Sequence, residues 1–246
     1  MTDLHTHILP GMDDGARDAA QSIEMLKLEW AQGVQTVALT PHFYPEQERP
    51  ETFFARRQKA YEELRSAIAS LPQEKQGQIP GLVLGAEVAW IPGLADLQSL
   101  EKLCYEDSKY LLIELPFLPW GERLVLSLND LMNRTGLTPV IAHVDRYFTM
   151  QSKKQIAQLC ELGLPMQLSA AAMGSILMRR RAFRMMRTGT AQLLISDCHN
   201  TTSRQPNLDG AYSKVYQKLG ASMAAELEAC SDTLLKKHRE NNIDRT

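Results

Sequence analysis

The chain has 246 residues, 44% of them apolar, with acidic and basic groups nearly balanced at a net charge of −2. That length buries a sizeable core and is usual for one α/β domain, and the balance of charge gives no electrostatic reason to expect nucleic acid, which selects a basic surface. No apolar run approaches the roughly 20 residues that cross a bilayer, and Met1 leads into Thr-Asp-Leu-His rather than a basic segment with an apolar core, so the expectation is a soluble, cytoplasmic protein that inserts in no membrane.

The chain opens on an extended stretch, D-L-H-T-H-I-L-P-G-M-D-D-G over residues 3–15. His5 and His7 are two apart, so on a strand both imidazoles project from one face. Pro10-Gly11 turns the chain, and Asp13-Asp14-Gly15 brings carboxylates back towards the same rim. Residues 18–32 carry Ile23, Leu26, Leu28 and Trp30 at mostly helical spacing and stop at Gly33. A buried strand over 34–40 closes on Pro41-His42, followed by a polar loop (43–50), a charged helix (about 51–70) and a loop-like linker (73–80). Further strands are predicted over 82–86, 110–113, 138–142, 165–168 and 192–196, ending at Glu87, Glu114, His143, Ser169 and Asp197. Helices lie near 93–103, 121–135, 151–162, 174–188 and about 209–230, and the charged tail after them is expected to fray. Seven continuous apolar strands alternating with helices imply a parallel sheet covered on its faces. With no repeat and no low-complexity linker, residues 1–246 form a single domain. Cys104, Cys160, Cys198 and Cys230 have no paired spacing, which fits reduced thiols.

The unusual residues gather at one place in this pattern. His5, His7, His42, Glu87, Glu114, His143, Asp197 and His199 all fall at or just past the carboxyl ends of predicted strands, and of the six histidines only His238 lies elsewhere. In a parallel α/β barrel that rim is where active sites are built. Imidazole and carboxylate donors without thiolate suit Mn, Fe or Zn better than Ca, and eight or nine such ligands exceed the needs of one ion. Two or three divalent ions sharing a carboxylate would polarise a phosphoryl oxygen and lower the pKa of bound water towards ~7, which favours hydrolysis of a phosphoester. Arg146 and Arg204, on the same loops, offer guanidinium forks for the phosphate.

Taken in order, H-T-H-I-L-P-G-M-D-D-G, T-P-H, G-A-E-V, I-E-L-P, A-H-V-D-R-Y and S-D-C-H-N resemble the polymerase-and-histidinol-phosphatase (PHP) superfamily, and within it the bacterial protein-tyrosine phosphatases of capsule and exopolysaccharide operons. The resemblance implies an irregular seven-stranded parallel (β/α) TIM-like barrel carrying three metal ions, often manganese. By motif, one ion would be held by His5, His7, Glu87 and Asp197, a second by Glu87, Glu114 and His143, and a third by Asp14, His42 and His199. Arg146 and Arg204 would bind phosphotyrosine phosphate, and a metal-bound hydroxide would be the nucleophile, without a covalent enzyme intermediate. The implied substrate is a phosphotyrosine protein, an autophosphorylated bacterial tyrosine kinase. Asp145 stands where that family commonly has Glu, and Cys198 fills a variable position. Both are expected close enough to tune substrate fit.

Other chemistries are weighed against this. Cys198 and Arg204 satisfy the C-x5-R spacing of cysteine-dependent phosphatases, although the intervening His-Asn-Thr-Thr-Ser has no glycine. A small phosphoester such as histidinol phosphate is the alternative substrate on the same fold, and a non-catalytic metal-binding interaction protein is a third possibility. Arg180, Arg184 and Arg187 fall at i, i+4 and i+7, a solvated stripe by default and, as a hypothesis, an attractor for an acidic phosphorylated tail. Met185 and Met186 are expected in the core, and Trp90 and Trp120 sit near the predicted rim.

Overall fold

Short apolar runs separated by amphipathic stretches fold as parallel strands joined by helices, and the computed structural model describes them over residues 1–235. In chain order the elements are β1 (Thr2–Thr6), α1 (Ala19–Ala31), β2 (Thr36–Leu39), β3 (His42–Phe43), α2 (Pro50–Ala69), α3 (Gln73–Gln76), β4 (Gly81–Leu84), β5 (Glu87–Ala89), β6 (Tyr110–Glu114), α4 (Glu122–Thr135), β7 (Thr138–Ile141), α5 (Lys153–Glu161), β8 (Gln167–Ser169), α6 (Ile176–Arg187), β9 (Leu193–Ile195), α7 (Leu208–Leu219) and α8 (Ala221–Leu234). Every pairing is parallel, in sheets ordered β1-β2-β4, β3-β5-β6-β7 and β8-β9. Isolated bridges Ile141–Met166 and Thr6–Cys198 lie between the sheets.

Among the described residues nine strands fall in three parallel sheets, and the pairings do not close into one barrel. Two predicted strands are interrupted: one between Leu39 and His42, where Pro41 has no N–H for the ladder, the other at Gly85-Ala86. Glu87 N–H donates to Pro41 O (3.0 Å) across the breaks. The predicted helix over 93–103 is instead two 3-10 turns, Leu94–Asp96 and Leu100–Leu103, entered through Gly93 and Ser99 in left-handed conformations. The predicted last helix is split at Gly220 (φ +90°), a backbone state only glycine adopts readily, and it extends to Leu234. Part of the 73–80 linker is the single turn α3. The tail expected to fray falls largely on residues 236–246, which with His238 lie outside the described residues.

Strand alternation sorts the core into two layers. Leu4, Ala38, Val83, Leu112, Val140, Leu193 and Ile195 form an inner cluster with Leu234 and Leu235 at the end of α8. Their neighbours Val37, Leu39, Leu111, Ile113, Ile141, Leu168 and Leu194 pack outward into the larger cluster under the helices, which also takes Met185 and Met186 from α6. No helix among the described residues is long and apolar enough to cross a membrane.

Candidate metal centre

A register shift in β1 aims the first two histidines. Asp3 pairs with Val37 but Thr6 with Leu39, so three steps on β1 match two on β2, the signature of a bulge with one extra residue. In a regular strand His5 would sit opposite Leu39 and face the outer layer; the extra residue turns His5 and His7 to the inner side that Leu4 already occupies. The loop after β1 then folds back, with Ala16 N–H donating to His7 O (2.9 Å) and Gly11 N–H to Ala16 O (2.8 Å). A Cβ on Gly15 would lie 2.0 Å from His7 O, so only glycine fits this approach.

That fold-back places Asp13, which sequence reasoning brought to the rim but left out of the site. Asp13 Oδ2 accepts from His7 Nδ1 (2.7 Å) and from His42 N–H (2.9 Å), and its Oδ1 from Gly15 N–H (2.9 Å). Gln167, also missed, does the same for His5: its Oε1 accepts from His5 Nδ1 (2.9 Å), while its Nε2 donates to Tyr105 Oη (3.1 Å), which donates to Leu4 O (2.8 Å). The available signal was a polar residue inside the apolar run P-M-Q-L-S. With both Nδ1 atoms donating, the two Nε2 atoms of neutral rings would be bare, yet they lie 3.2 Å apart and 3.2 and 3.3 Å from Glu87 Oε2. Three lone-pair atoms in buried contact repel unless a cation or a proton stands between them.

Glu87 is the hub. Besides His5 and His7 it meets His42 Nδ1 at 3.0 Å and His143 Nε2 at 2.9 Å, and His143 Nε2 also meets Glu114 Oε1 at 3.3 Å. Burial alone would raise the Glu87 carboxyl, but His5, His143 and His42 overcome it and hold it well below the usual range. Burial likewise opposes charge on His7, yet Asp13 and then Glu87 push it up to about 9. His199 is pushed far down by burial, His7 and Arg204. It donates through Nδ1 to Asp197 O (3.1 Å), and its Nε2 makes no hydrogen bond although Asp14 Oδ1 lies 3.3 Å away. Asp14 Oδ1 also lies 3.6 Å from His42 Nε2. Three sets have donor atoms within 4.8 Å of one another: His5, His7 and Glu87; His7, Asp14, His42 and His199; and His42, Glu87 and Glu114. These sets overlap the expected partition: His7 also lies with Asp14, His42 and His199, His42 stands with Glu87 and Glu114 beside which His143 also lies, and Asp197 is 3.6 Å from His7 Nε2 and 3.9 Å from His5 Nε2.

Arg146 and Arg204 converge on the same carboxylate. Arg146 donates to Asp197 Oδ2, and Arg204 Nη2 lies 3.1 and 3.2 Å from the two Asp197 oxygens, with Arg204 Nη1 3.6 Å from Asp14 Oδ2. Two residues of the centre, His143 (φ +25°) and Asp197 (φ +54°), have positive φ, a backbone cost that clusters at functional sites.

The family model for capsular polysaccharide synthesis, CpsB/CapC, matches residues 1–235. The chain belongs to the CpsB/CapC family. It is 30% identical to tyrosine-protein phosphatase YwqE of Bacillus subtilis strain 168, over 96% of this chain and 92% of that protein, and 28% identical to tyrosine-protein phosphatase CpsB of Streptococcus pneumoniae, over 92% and 94%. Its fold matches a solved structure of the pair YwqE from Bacillus subtilis and CpsB from Streptococcus pneumoniae, described as metal-dependent tyrosine phosphatases, with a TM-score of 0.82 and 28% identity over 96% of this chain and 94% of that one. The PHP resemblance read from the motifs agrees with this membership.

In this CpsB/CapC chain the packing also bears on residues outside the proposed metal set. Cys198 is fully buried, its Sγ 3.5 Å from Glu29 Oε1, and burial with the Glu29 and Asp3 charges pushes its thiol well up, the reverse of what a thiolate nucleophile needs. Asp145 is buried and accepts from Ser169 N–H (2.7 Å) and Oγ (2.8 Å), tying the turn after His143 to β8. Trp120 is buried edge-on against Tyr147, and Trp90 donates to Ser127 on α4. Exposed aromatic rings beside the histidines are Tyr44, stacked on His42 at 5.2 Å, and Phe117, stacked on His143 at 5.9 Å.

Proposed function

We propose that this chain is a metal-dependent protein-tyrosine phosphatase, a phosphoric monoester hydrolase acting on phosphotyrosine proteins. The observation that carries the reading is the buried Glu87 carboxylate met by four imidazoles, two of them facing each other through Nε2 at 3.2 Å. His5, His7, Asp14, His42, Glu87, Glu114, His143, Asp197 and His199 are taken as the ligands of two or three divalent ions, manganese first and iron or zinc as alternatives. Such ions supply Lewis acidity to a phosphoryl group and an activated water. The chain's own part is positioning: Asp13 and Gln167 orient the His7 and His5 rings, and the Arg146 and Arg204 forks, which lie beside Asp14 and Asp197, would take phosphate oxygens. Tyr44 and Phe117 offer aromatic surfaces against which a phenyl ring can stack. A phenolate leaves readily because the phenol pKa is about 10.

Support for one interrupted seven-segment barrel comes from the hydrogen bonds across the strand breaks and from the two isolated bridges. The named relatives support phosphotyrosine as the substrate, and the family's role in capsular polysaccharide synthesis fits an autophosphorylated cytoplasmic tyrosine kinase as partner. The test is hydrolysis of a phosphotyrosine peptide by purified protein with manganese, with EDTA, and beside histidinol phosphate. Turnover that needs the metal and favours the peptide is expected. Undiminished turnover in EDTA overturns the metal chemistry, and preference for histidinol phosphate overturns the substrate.

A further inference from the structure

Charge is segregated along this chain. Residues 146–196 contain eight Lys and Arg and one acidic residue, Glu161, although the whole protein carries −2. Much of that positive charge is on α6, where Arg180, Arg184 and Arg187 are exposed, and at the start of α5, where Lys153 is exposed. Among the described residues none of these four forms an ion pair. Between α5, α6 and the 3-10 turn Val144–Thr149 opens a cavity of about 240 Å³. Phe148, Ile156 and Met185 line it with apolar atoms, and Lys153, Arg181 and Arg184 edge it with cations. Arg181 is fixed there, donating to Phe148 O (3.2 Å) with its guanidinium 5.8 Å from the Phe148 ring centroid.

The groove adjoins the metal centre through the chain itself. The turn that lines it follows His143 directly and carries Arg146, two residues before Phe148; at roughly 2 Å of rise per residue, that is about 4 Å along the turn. A peptide in extended form covers such a distance in one or two residues, at about 3.3 Å each.

We propose that this groove binds the acidic flank of a phosphotyrosine peptide, Asp or Glu within a few positions of the phosphotyrosine, with an apolar side chain on Phe148, Ile156 and Met185. The proposal rests on the phosphatase reading above and adds a sequence preference to it. An anionic lipid surface would also be drawn to α6, where Ile176 and Leu177 are exposed. A concave groove beside the reactive rim fits a peptide better than a plane of headgroups.

The test compares wild type and Lys153→Glu/Arg184→Glu, two exposed positions outside the centre, on three manganese-supported substrates: p-nitrophenyl phosphate, a phosphotyrosine peptide with neutral flanks, and one with acidic flanks. Wild type is expected to favour the acidic peptide about tenfold in kcat/KM at low salt, in the range of electrostatic steering, and less at high salt. The variant is expected to lose that preference while its rates on the other two substrates hold. Equal efficiency of wild type on both peptides, or a preference the variant keeps, overturns the groove. So does the absence of any peptide preference together with variant-sensitive binding to phosphatidylserine vesicles, which would make the face a membrane surface. Failure on all three substrates would instead remove the phosphatase reading, and the groove's role with it.

Discussion

Asp13→Asn is the substitution that separates holding a metal from holding the residue that holds it. Both Asp13 oxygens accept: Oδ2 from His7 Nδ1 (2.7 Å) and His42 N–H (2.9 Å), Oδ1 from Gly15 N–H (2.9 Å). An asparagine has one acceptor oxygen and one donating NH2, so in either orientation a donor faces a donor. If the oxygen stays on His7, the NH2 abuts Gly15 N–H. If it turns away, His7 Nδ1 loses its acceptor and the ring proton shifts to Nε2, the atom that faces Glu87. A hydrogen bond to a charged partner contributes about 1.5–3 kcal/mol, and carboxylates behind ligating histidines change metal affinity about 10–100-fold; the two scales agree. Calorimetric titration of chelator-treated protein with manganese should therefore show at least one site weakened about 10–100-fold, with activity recovered at high manganese. In the same sample His7, pushed up to about 9 by Asp13 and Glu87, should titrate lower by NMR because a negative partner is gone. A variant that binds manganese as tightly as wild type refutes the assigned role of Asp13.

Further outcomes follow from the same geometry. Gly15→Ala puts a Cβ 2.0 Å from His7 O and should cost about 1–3 kcal/mol or more, a fall of several degrees in Tm with reduced manganese content; an unchanged Tm contradicts the close approach. Cys198→Ser should keep phosphatase activity within about threefold, since a buried thiol with a raised pKa is no nucleophile, and abolished turnover with intact folding would restore the thiol route. Glu29 is raised well above its ordinary value of 4.5 by burial and then by Asp3, so the folded state keeps a proton that the unfolded chain releases as pH rises past that value. Its contribution is fully present below that value and is lost as pH climbs towards the folded pKa; urea unfolding of chelator-treated Glu29→Gln should show a shallower alkaline decline than wild type, and parallel curves reject this. Because His7 is charged below about 9 and a ligand must be neutral, manganese binding at pH 7 should release about one proton or more, read from calorimetry in buffers of different ionisation enthalpy. Zero release contradicts it.

The strands were legible where apolar runs end in a polar residue. Residues 110–113 and 138–142 were predicted, and Tyr110–Glu114 and Thr138–Ile141 are observed. What the run of letters hides is interruption. Thr40-Pro41 and Gly85-Ala86 read as the ends of two strands, whereas the ladder resumes at His42 and Glu87 in a different sheet. Gly220 sits in a helical pattern that a single glycine would weaken by only ~1 kcal/mol, so nothing local says that the chain takes φ +90° there. Residues 93–103 have helical spacing, but the left-handed Ser99 leaves room only for separate turns.

The centre shows the same division. Its histidines and acids stood out because such residues are uncommon at the ends of apolar strands, and the nine candidates do converge. Which of two adjacent aspartates turns to a ring nitrogen is decided by the fold-back through Gly15, a contact with His7 O that spacing cannot express. The β1 bulge is equally silent: D-L-H-T-H has the same letters whether or not one residue is looped out. The consequence is chemical. Glu87 and Asp13 share a proton on His7, and Arg146 and Arg204 pair with Asp197. A divalent cation held by His5 and His7 would take the place of the proton on His7 and would compete with both guanidinium forks for Asp197. The electrostatics that would favour loading a metal are thus the same that would loosen the arginines beside it, the groups proposed to take a phosphate.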